Sequence, residues 1–124
     1  MATKSEALRT VLEHLNTIGG IKASAVISAD GLPIMSLIPG EIDANTFAAM
    51  LASMVGAAEA AIKAIGAKNI LERVVAESKD IRVIAVRAGE DAILTIMIDP
   101  NVNYGLILLE AKKASDQISI VMKQ

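Results

Sequence analysis

Few side chains in this 124-residue sequence could carry chemistry of their own. His14 is the single histidine and there is no cysteine, so the sequence lacks the residues that a nucleophilic triad or a His/Cys metal site requires. Because His14 lies beside the apolar stripe of a predicted helix, we interpret it as a partly exposed structural residue. Glu90 and Asp91 are an adjacent acidic pair, but Gly89 places them in a predicted hairpin loop, where a solvated turn is typical. We therefore expect no catalytic residue and no bound metal.

Phosphate chemistry has equally little support. Gly19-Gly20 lacks the flanking residues of both glycine-rich phosphate-binding motifs and follows a predicted helix instead of opening one. We interpret the pair as a helix C-cap and expect no cofactor. An arginine could in principle act as a finger in the nucleotide site of another protein, although solvated arginines are commoner. The four arginines are Arg9, Arg73, Arg82 and Arg87.

The segment from Asp99 to Gly105 leaves two interpretations open. Asn103 is a good N-cap for a final helix, and Gly105 in its first turn lowers helix propensity unless close packing requires it. Structural use is the default. The segment also places Tyr104, the single tyrosine, at a positive helix end, where it could contact a partner or a small anion.

Composition narrows the class of partner. The net charge is -2 with interspersed acids and bases, so we expect no nucleic-acid partner and no membrane insertion. The absence of cysteine fits a reducing compartment, and the charged N-terminus lacks the features of a signal peptide. We predict a cytoplasmic protein with a single domain spanning residues 1–124. The hydrophobic share of 53% and mean hydropathy of +0.51 are high for a small monomer, which favours burial against a partner.

Periodicity predicts the first half of the fold. Thr3 and Glu6 have capping-box spacing before an apolar helical stripe that Gly19 and Gly20 end. Residues 21–29 alternate as a strand with one buried face, Asp30-Gly31 is a strong hairpin turn, and residues 32–38 form the return strand. Pro33 lacks a ladder donor, which predicts a sheet edge for that strand.

The second half is predicted to form a three-stranded meander and a helix. The predicted strands are 70–77, 81–88 and 92–99, joined by loops short enough for antiparallel pairing. The first of them has charge on both faces, which suits an edge. The third is apolar at nearly every residue, which suits a central position. Asn103 then caps a helix that runs to about Met122.

The middle helix, predicted from Ala44 to Ile65 between Asp43 and Gly66, has two apolar faces at a step of about 100° per residue. Only Glu59 and Lys63, spaced as an i,i+4 pair, interrupt it. Its predicted core face comprises Phe47, Met50, Leu51, Met54, Val55, Ala58, Ile62 and Ile65. Its opposite face carries the small residues Ala49, Ser53, Gly56, Ala60 and Ala64. One small domain offers one core, so the second face predicts another layer or another molecule.

Four short motifs follow one another with characteristic spacing. Gly20-Ile21 opens a strand, Asp30-Gly31 turns the hairpin, a small-residue helix ends at Gly66, and Asn103-Tyr104-Gly105 opens the last helix. Together they resemble the Roadblock family, the dynein light-chain and GTPase-regulator domain, in its prokaryotic single-domain form. The resemblance implies an α+β, profilin-like fold, αββαβββα, with a five-stranded antiparallel sheet of order 2-1-5-4-3. It places the middle helix on one sheet face and the terminal helices on the other.

The resemblance also implies a homodimer in which the third strands pair edge to edge and the middle helices pack across a two-fold axis. An exposed strand edge invites such pairing, and a two-fold makes it self-complementary. The interface residues expected on this basis are Ala49, Ser53, Gly56, Ala60, Ala64, Ile70, Glu72, Arg73 and Val74.

Three functions follow for testing. The leading hypothesis, implied by the resemblance, is a non-enzymatic homodimeric platform that binds and regulates a small Ras-like GTPase, since family members of the bacterial motility type act as GTPase-activating partners. The alternatives are a small-molecule sensor of the PAS or GAF plan and a dimeric scaffold without effect on nucleotide turnover. With one Phe and one Tyr, the sequence predicts a tight aliphatic core instead of a sensor cavity.

Overall fold

A computed structural model describes residues 2–124, which form three helices and five strands. The elements are α1 (Lys4–Asn16), β1 (Ile21–Ser28), β2 (Pro33–Leu37), α2 (Ala44–Ala64), β3 (Arg73–Glu77), β4 (Arg82–Arg87), β5 (Ala92–Ile98) and α3 (Tyr104–Met122). Their order matches the predicted one, with strand ends that differ by at most three residues.

Side-chain caps fix where the helices begin. The Thr3 and Glu6 capping box is present, with the Glu6 N–H donating to Thr3 Oγ1 at 3.1 Å and the Thr3 N–H to Glu6 Oε1 at 3.0 Å. Asp43 caps α2 and Asn103 caps α3, both as predicted. Each of these side chains accepts hydrogen bonds from N–H groups that the first helical turn leaves unpaired.

The prediction that Gly19 and Gly20 end α1 is wrong in detail. The helix already ends at Asn16, with Thr17 as C-cap. Gly20 has φ +94 and makes the turn into β1, where a Cβ would overlap Val102 Cγ1. Only glycine combines this conformation with such a close approach.

The five strands form one antiparallel sheet of order β2-β1-β5-β4-β3. This confirms the predicted order, with β2 and β3 at the edges and β5 in the centre. Ala25, Thr95 and Ala85 lie side by side across β1, β5 and β4. A row of small side chains therefore crosses the middle of the sheet.

Both faces of the sheet are covered. Apolar residues of α1 and α3 pack with Leu94 and Ile96 in one cluster, whereas Leu51 and Val55 of α2 pack with Ile93 in the other. Strand β1 is therefore buried on both sides, and the prediction that it has one buried face is wrong. Ser24 tolerates this burial because its hydroxyl lies 2.7 Å from Asn16 Oδ1.

Candidate functional site

The polar residues considered for catalysis lie on the surface and do not form an enclosed site. His14, Glu90 and Asp91 are exposed, and within residues 2–124 no three His, Cys, Asp or Glu side chains are grouped as metal ligands. The surface that stands out is instead apolar. It consists of the outward face of α2 and the neighbouring edge of β3.

The small residues of α2 lie in the open. Ala49, Ser53, Gly56, Ala60 and Ala64 are all exposed, and within the described chain no atom lies within 4 Å of a Cβ built at Gly56. No charged side chain interrupts this face from Ala49 to Ala57. A helix face of this kind on an isolated domain leaves apolar surface in water.

Two residues assigned to the core face of α2 are in fact exposed. Met50 is 66% exposed and Ile65 is 84% exposed, so these two predictions are wrong. The helix directs Ala48, Leu51 and Val55 at the sheet, and Met50 lies about 100° further round from Leu51. Ile65 follows the last helical residue as the C-cap, where the backbone has left helical geometry.

Part of the small-residue row has a use within the chain. The β1–β2 turn reaches α2 at Gly31, where a Cβ would lie 3.2 Å from the Ala49 Cα and 3.5 Å from the Ala52 Cβ. Gly31 also has φ +90, so the Asp30-Gly31 motif serves both the turn and this contact. The hairpin turn therefore lies directly against α2 at Ala49.

Strand β3 begins later than predicted. Ile70 lies outside the ladder and is 66% exposed, so the expected start at residue 70 is wrong. Leu71 turns inward and joins the α2 cluster, and the ladder proper begins at Arg73. Glu72 still contributes its carbonyl, which accepts from the Arg87 N–H at 3.2 Å.

The hydrogen-bond phase of β3 determines which groups face outward. Glu72 pairs with Arg87 and Ser78 with Ile81 through backbone bonds, so in this antiparallel ladder the even-numbered residues bond inward to β4. The N–H and C=O groups of residues 73, 75 and 77 therefore point away from β4. Within residues 2–124 no strand pairs with that edge.

An ion pair ties α2 to the sheet beside this edge. Arg87 donates through Nε and Nη2 to Glu59 Oε2, with Nε at 3.0 Å. The hydrogen bond from Arg87 holds the pKa of Glu59 below its ordinary value. Lys63 lies 3.8 Å from the same carboxylate, which confirms the predicted i,i+4 pair.

A groove of about 1140 Å³ opens where β3, the β4–β5 turn and α3 meet. Leu71, Val86 and Leu108 line it together with charged groups of both signs, among them Glu72 and Lys112. The groove is open to solvent and mixes apolar and polar walls, as surface clefts at protein contacts do.

Helix α2 is the one helix in residues 2–124 whose length and composition would suffice to cross a membrane. In this fold Glu59 of the helix is held by Arg87, and Leu51 and Val55 lie on the sheet. One such helix is weak support for a membrane span, since the core helix of a water-soluble domain meets the same criteria.

Asn103 acts as a helix cap in this fold, whereas the space at Gly105 would admit a Cβ. Asn103 Oδ1 accepts from the Leu106 N–H at 3.1 Å, and a Cβ at Gly105 would lie 3.6 Å from the same oxygen. Tyr104 stacks against the Arg82 guanidinium, whose Cζ lies 4.8 Å from the ring centroid.

The four arginines differ in their surroundings. Arg82 and Arg87 are engaged within the chain by Tyr104 and Glu59. Arg9 and Arg73 are exposed. Of these two, Arg73 lies on the free edge of β3, where a second molecule could meet it.

Several surface residues were missed by the sequence prediction. Met50, Ala57 and Ala61 extend the exposed α2 face, and Val75 and Glu77 complete the free β3 edge. The period of α2 could have revealed Ala57 and Ala61. The outward phase of β3 could not be predicted from sequence, because it depends on pairing with β4.

Comparison with known proteins places these features in a family. The Roadblock/LC7 domain model matches residues 8–97. An uncharacterised protein of Methanocaldococcus jannaschii, MJ0310, is 42% identical over 108 residues, which is 87% of this chain and 93% of that protein.

Solved structures agree on the fold. An MglB with tetrameric arrangement superposes with a TM-score of 0.88 at 22% identity, over 98% of this chain and 91% of that one. Myxococcus xanthus MglB gives 0.86 at 24% identity, over 94% of each chain. The more distant Acanthamoeba castellanii profilin II gives 0.65 at 20% identity, over 94% of this chain and 97% of that one. Such a family and fold fit a role in GTPase regulation or protein interaction, and the chain belongs to the Roadblock/LC7 domain family.

Proposed function

We propose that this protein is a non-enzymatic homodimeric platform that binds and regulates a small Ras-like GTPase. Two observations carry the dimer: α2, which packs on β3, has an exposed apolar outer face, and the outer edge of β3 is unpaired within residues 2–124. A strand edge without a neighbour is a template for another chain, and an isologous two-fold contact uses the same surface on both copies.

The hydrogen-bond phase of β3 limits the registers open to that contact. The outward N–H and C=O groups belong to residues 73, 75 and 77, so an antiparallel pair must set odd-numbered residues opposite odd-numbered residues. A two-fold axis that passes through a residue of β3 meets this condition. An axis that passes between two residues does not, because it sets outward groups opposite inward ones.

Charge then selects among the permitted registers. An axis through Val75 sets Arg73 opposite the partner's Glu77, twice, so opposite charges meet. An axis through Val74 sets Arg73 opposite the partner's Val75 and gives it no charged partner. An axis through Ala76 sets Arg73 opposite the partner's Lys79, and like charges directly opposed are destabilising. The register centred on Val75 is therefore favoured.

The α2 face supplies the apolar part of the interface. Gly56, Ala57 and Ala60 leave room for a second backbone, and helices with small contact residues approach to the near end of the usual range of about 8 to 10 Å. Burying this face in a dimer would transfer exposed apolar surface of the monomer out of water, which favours association.

The dimer is tested by filling the space at Gly56. Gly56→Trp should break this interface and give a smaller assembly or an aggregate, and Ala60→Arg should do the same, as followed by light scattering. Gly40→Trp is the matched control, because within residues 2–124 a Cβ at Gly40 also meets no atom within 4 Å but lies in the loop before α2, outside the helix. An assembly of unchanged mass in both α2 variants would rule out this interface.

The GTPase partner rests on family membership and on the MglB neighbours. Nucleotide-dependent capture tests it: the protein is immobilised and source-cell extract is applied with GDP, a GTP analogue or no nucleotide. Preferential recovery of a Ras-like GTPase in one nucleotide state supports regulation. Equal recovery in all three favours a scaffold, and no recovery contradicts the proposal. The groove beside β3 is open and partly charged, unlike an enclosed apolar ligand pocket. It therefore does not favour the small-molecule sensor over the GTPase platform.

A further inference from the structure

The outward face of α3 carries apolar residues that the proposed α2 and β3 interface does not use. Seven large apolar side chains are exposed in residues 2–124, and three of them lie on this one helix. Leu106 is 47% exposed, Leu109 52% and Ile120 62%. The opposite side of α3 is already committed to the core through residues such as Ile107 and Ile118.

Two charged residues complete this face. Leu109, Lys113, Asp116 and Ile120 are spaced i, i+4, i+7 and i+11, so they lie within about 60° of one another around the helix. The Lys113 side chain is 62% exposed and the Asp116 side chain 60% exposed. The stripe thus has apolar ends and a basic and an acidic residue between them.

We propose that this α3 face binds the α3 face of a second copy, antiparallel across a two-fold axis. In the register that sets Leu109 opposite the partner's Ile120, Lys113 falls opposite the partner's Asp116. The two-fold repeats both contacts, so one register satisfies four positions of the stripe on each chain. The contact goes beyond the proposed GTPase platform, because it uses neither α2 nor the β3 edge.

Two registers shifted toward the N-terminus are less favourable. Moving the centre to Lys113 sets that residue against the partner's Lys113 and sets Glu110 against the partner's Asp116. Placing the two-fold axis between Lys112 and Lys113 sets Lys113 opposite the partner's Lys112. Like charges directly opposed cost free energy and select against these alternatives.

The two kinds of residue have different tasks in this contact. Leu109 and Ile120 provide the affinity, because they are removed from water. Lys113 and Asp116 set the register, because exposed ion pairs add little net free energy but oppose wrong pairings. Both now pair within their own helix: Lys112 lies 2.8 Å from Asp116 and Lys113 lies 3.7 Å from its i−3 neighbour. The new contacts extend this existing row of charges.

The assembly that results depends on the α2 and β3 dimer. In that dimer a two-fold normal to the sheet leaves both α3 helices on one side. Two dimers can then face each other through two α3 pairs, and they close a tetramer of D2 symmetry when the α3 two-fold intersects the α2 and β3 two-fold at a right angle. Without the α2 and β3 dimer, the α3 contact gives a dimer by itself.

Native mass spectrometry and sedimentation velocity of the full chain test this inference. Ile120→Glu should halve the mass of the assembly, from tetramer to dimer. Lys4→Asp, on an exposed residue of α1, controls for added negative charge and should leave the tetramer intact. An Ile120→Glu variant that keeps the full mass of the wild-type assembly, whether that assembly is a dimer or a tetramer, overturns the proposal.

A charge-swap mixture makes the test independent of folding defects. Lys113→Asp alone opposes two acids across the axis, and Asp116→Lys alone opposes two bases, so each variant should be dimeric. When the two are mixed in equal amounts, the introduced aspartate of one chain falls opposite the introduced lysine of the other. The unchanged Asp116 of the first variant then falls opposite the unchanged Lys113 of the second, and mixed tetramers should form. Failure of the mixture to recover a tetramer overturns the register.

The outcomes also separate this contact from the α2 and β3 dimer. If both contacts exist, Gly56→Trp leaves a dimer joined through α3, and the double variant with Ile120→Glu is a monomer. If the wild type is itself a dimer that Gly56→Trp leaves intact and Ile120→Glu dissolves, the α3 contact stands and the proposed platform interface falls. If Ile120→Glu changes nothing while Gly56→Trp gives monomers, the reverse holds.

Discussion

Glu59 of α2 accepts two hydrogen bonds from the guanidinium of Arg87 in β4, and this ion pair joins the helix to the sheet beside the free β3 edge. Both side chains are largely buried, with 18% and 20% exposed. The pair fixes α2 near its C-terminal end, where Ile62 and Val74 also pack in one cluster.

The stability that this pair provides should depend on pH. Because the hydrogen bond from Arg87 lowers the pKa of folded Glu59 below its ordinary value of 4.5, the stabilisation is complete above that value. It is lost as the pH falls through the lowered folded pKa. Glu59→Gln should therefore reduce the urea midpoint at pH 7, and the difference from wild type should shrink in acid. Glu41→Gln, in an exposed loop, should cause little change at either pH, and a Glu59→Gln difference that persists unchanged in acid would contradict this assignment.

Thr95 is expected to lower stability in the wild-type protein. In the described chain its Oγ1 is buried without a hydrogen-bond partner, and the residue is 1% exposed. Thr95→Val keeps the shape and removes the unpaired hydroxyl, so it should raise the free energy of unfolding by about 1 kcal/mol. Ser24→Ala is the matched control, because the Ser24 hydroxyl is bonded to Asn16, and it should lower that free energy by about 1 kcal/mol. Chemical denaturation that gives both changes the same sign would refute the distinction.

Gly20 and Gly19 should respond differently to alanine. Gly20→Ala combines a left-handed backbone, at about 1 to 2 kcal/mol, with overlap against Val102. Gly19→Ala meets no atom of the described residues within 4 Å and should be nearly neutral. Thermal denaturation should show a large fall in Tm only for Gly20→Ala, and Val102→Ala should restore the part that is due to overlap. Equal effects at both glycines would exclude this explanation.

The proposed β3 register places one residue opposite itself. Val75 would face the partner's Val75 with Cα atoms about 5.5 Å apart, and the chain has no cysteine of its own. Val75→Cys should therefore be joined into a covalent dimer by a short thiol cross-linker, as seen on a denaturing gel. Val74→Cys is the control, because residue 74 would lie opposite residue 76. Cross-linking that is stronger at 74 than at 75 would reject the register.

The elements and their order could be predicted well, because caps, turns and periodicity are local signals. Asp43, Asn103 and the Asp30-Gly31 turn all act where local chemistry places them. The family resemblance supplied the strand order, and the apolar run of β5 independently indicated its central position. Two-sided burial of β1 was missed because its polar Ser24 is satisfied by a side chain from α1, a contact that periodicity does not report.

The candidate site was predicted only in part. The small face of α2 follows from a helical period, so its exposed residues could be named from sequence. Met50 and Ile65 were misplaced because hydrophobicity does not tell which side of a wide apolar helix meets the sheet. The outward groups of β3 depend on its pairing with β4, which is a tertiary property.

The opposite edge of the sheet limits what such assemblies can become. Strand β2 contains Pro33, which has no N–H to offer, and the Leu37 carbonyl is occupied by the Asn16 side chain at 3.3 Å. In a dimer joined through β3, the continuous sheet ends in a β2 strand on each side. Strand β2 is a poor template for pairing with another strand. In the proposed dimer, growth by strand addition would stop after a single step, because the one open edge of each chain is used up and no fibre can be extended from it.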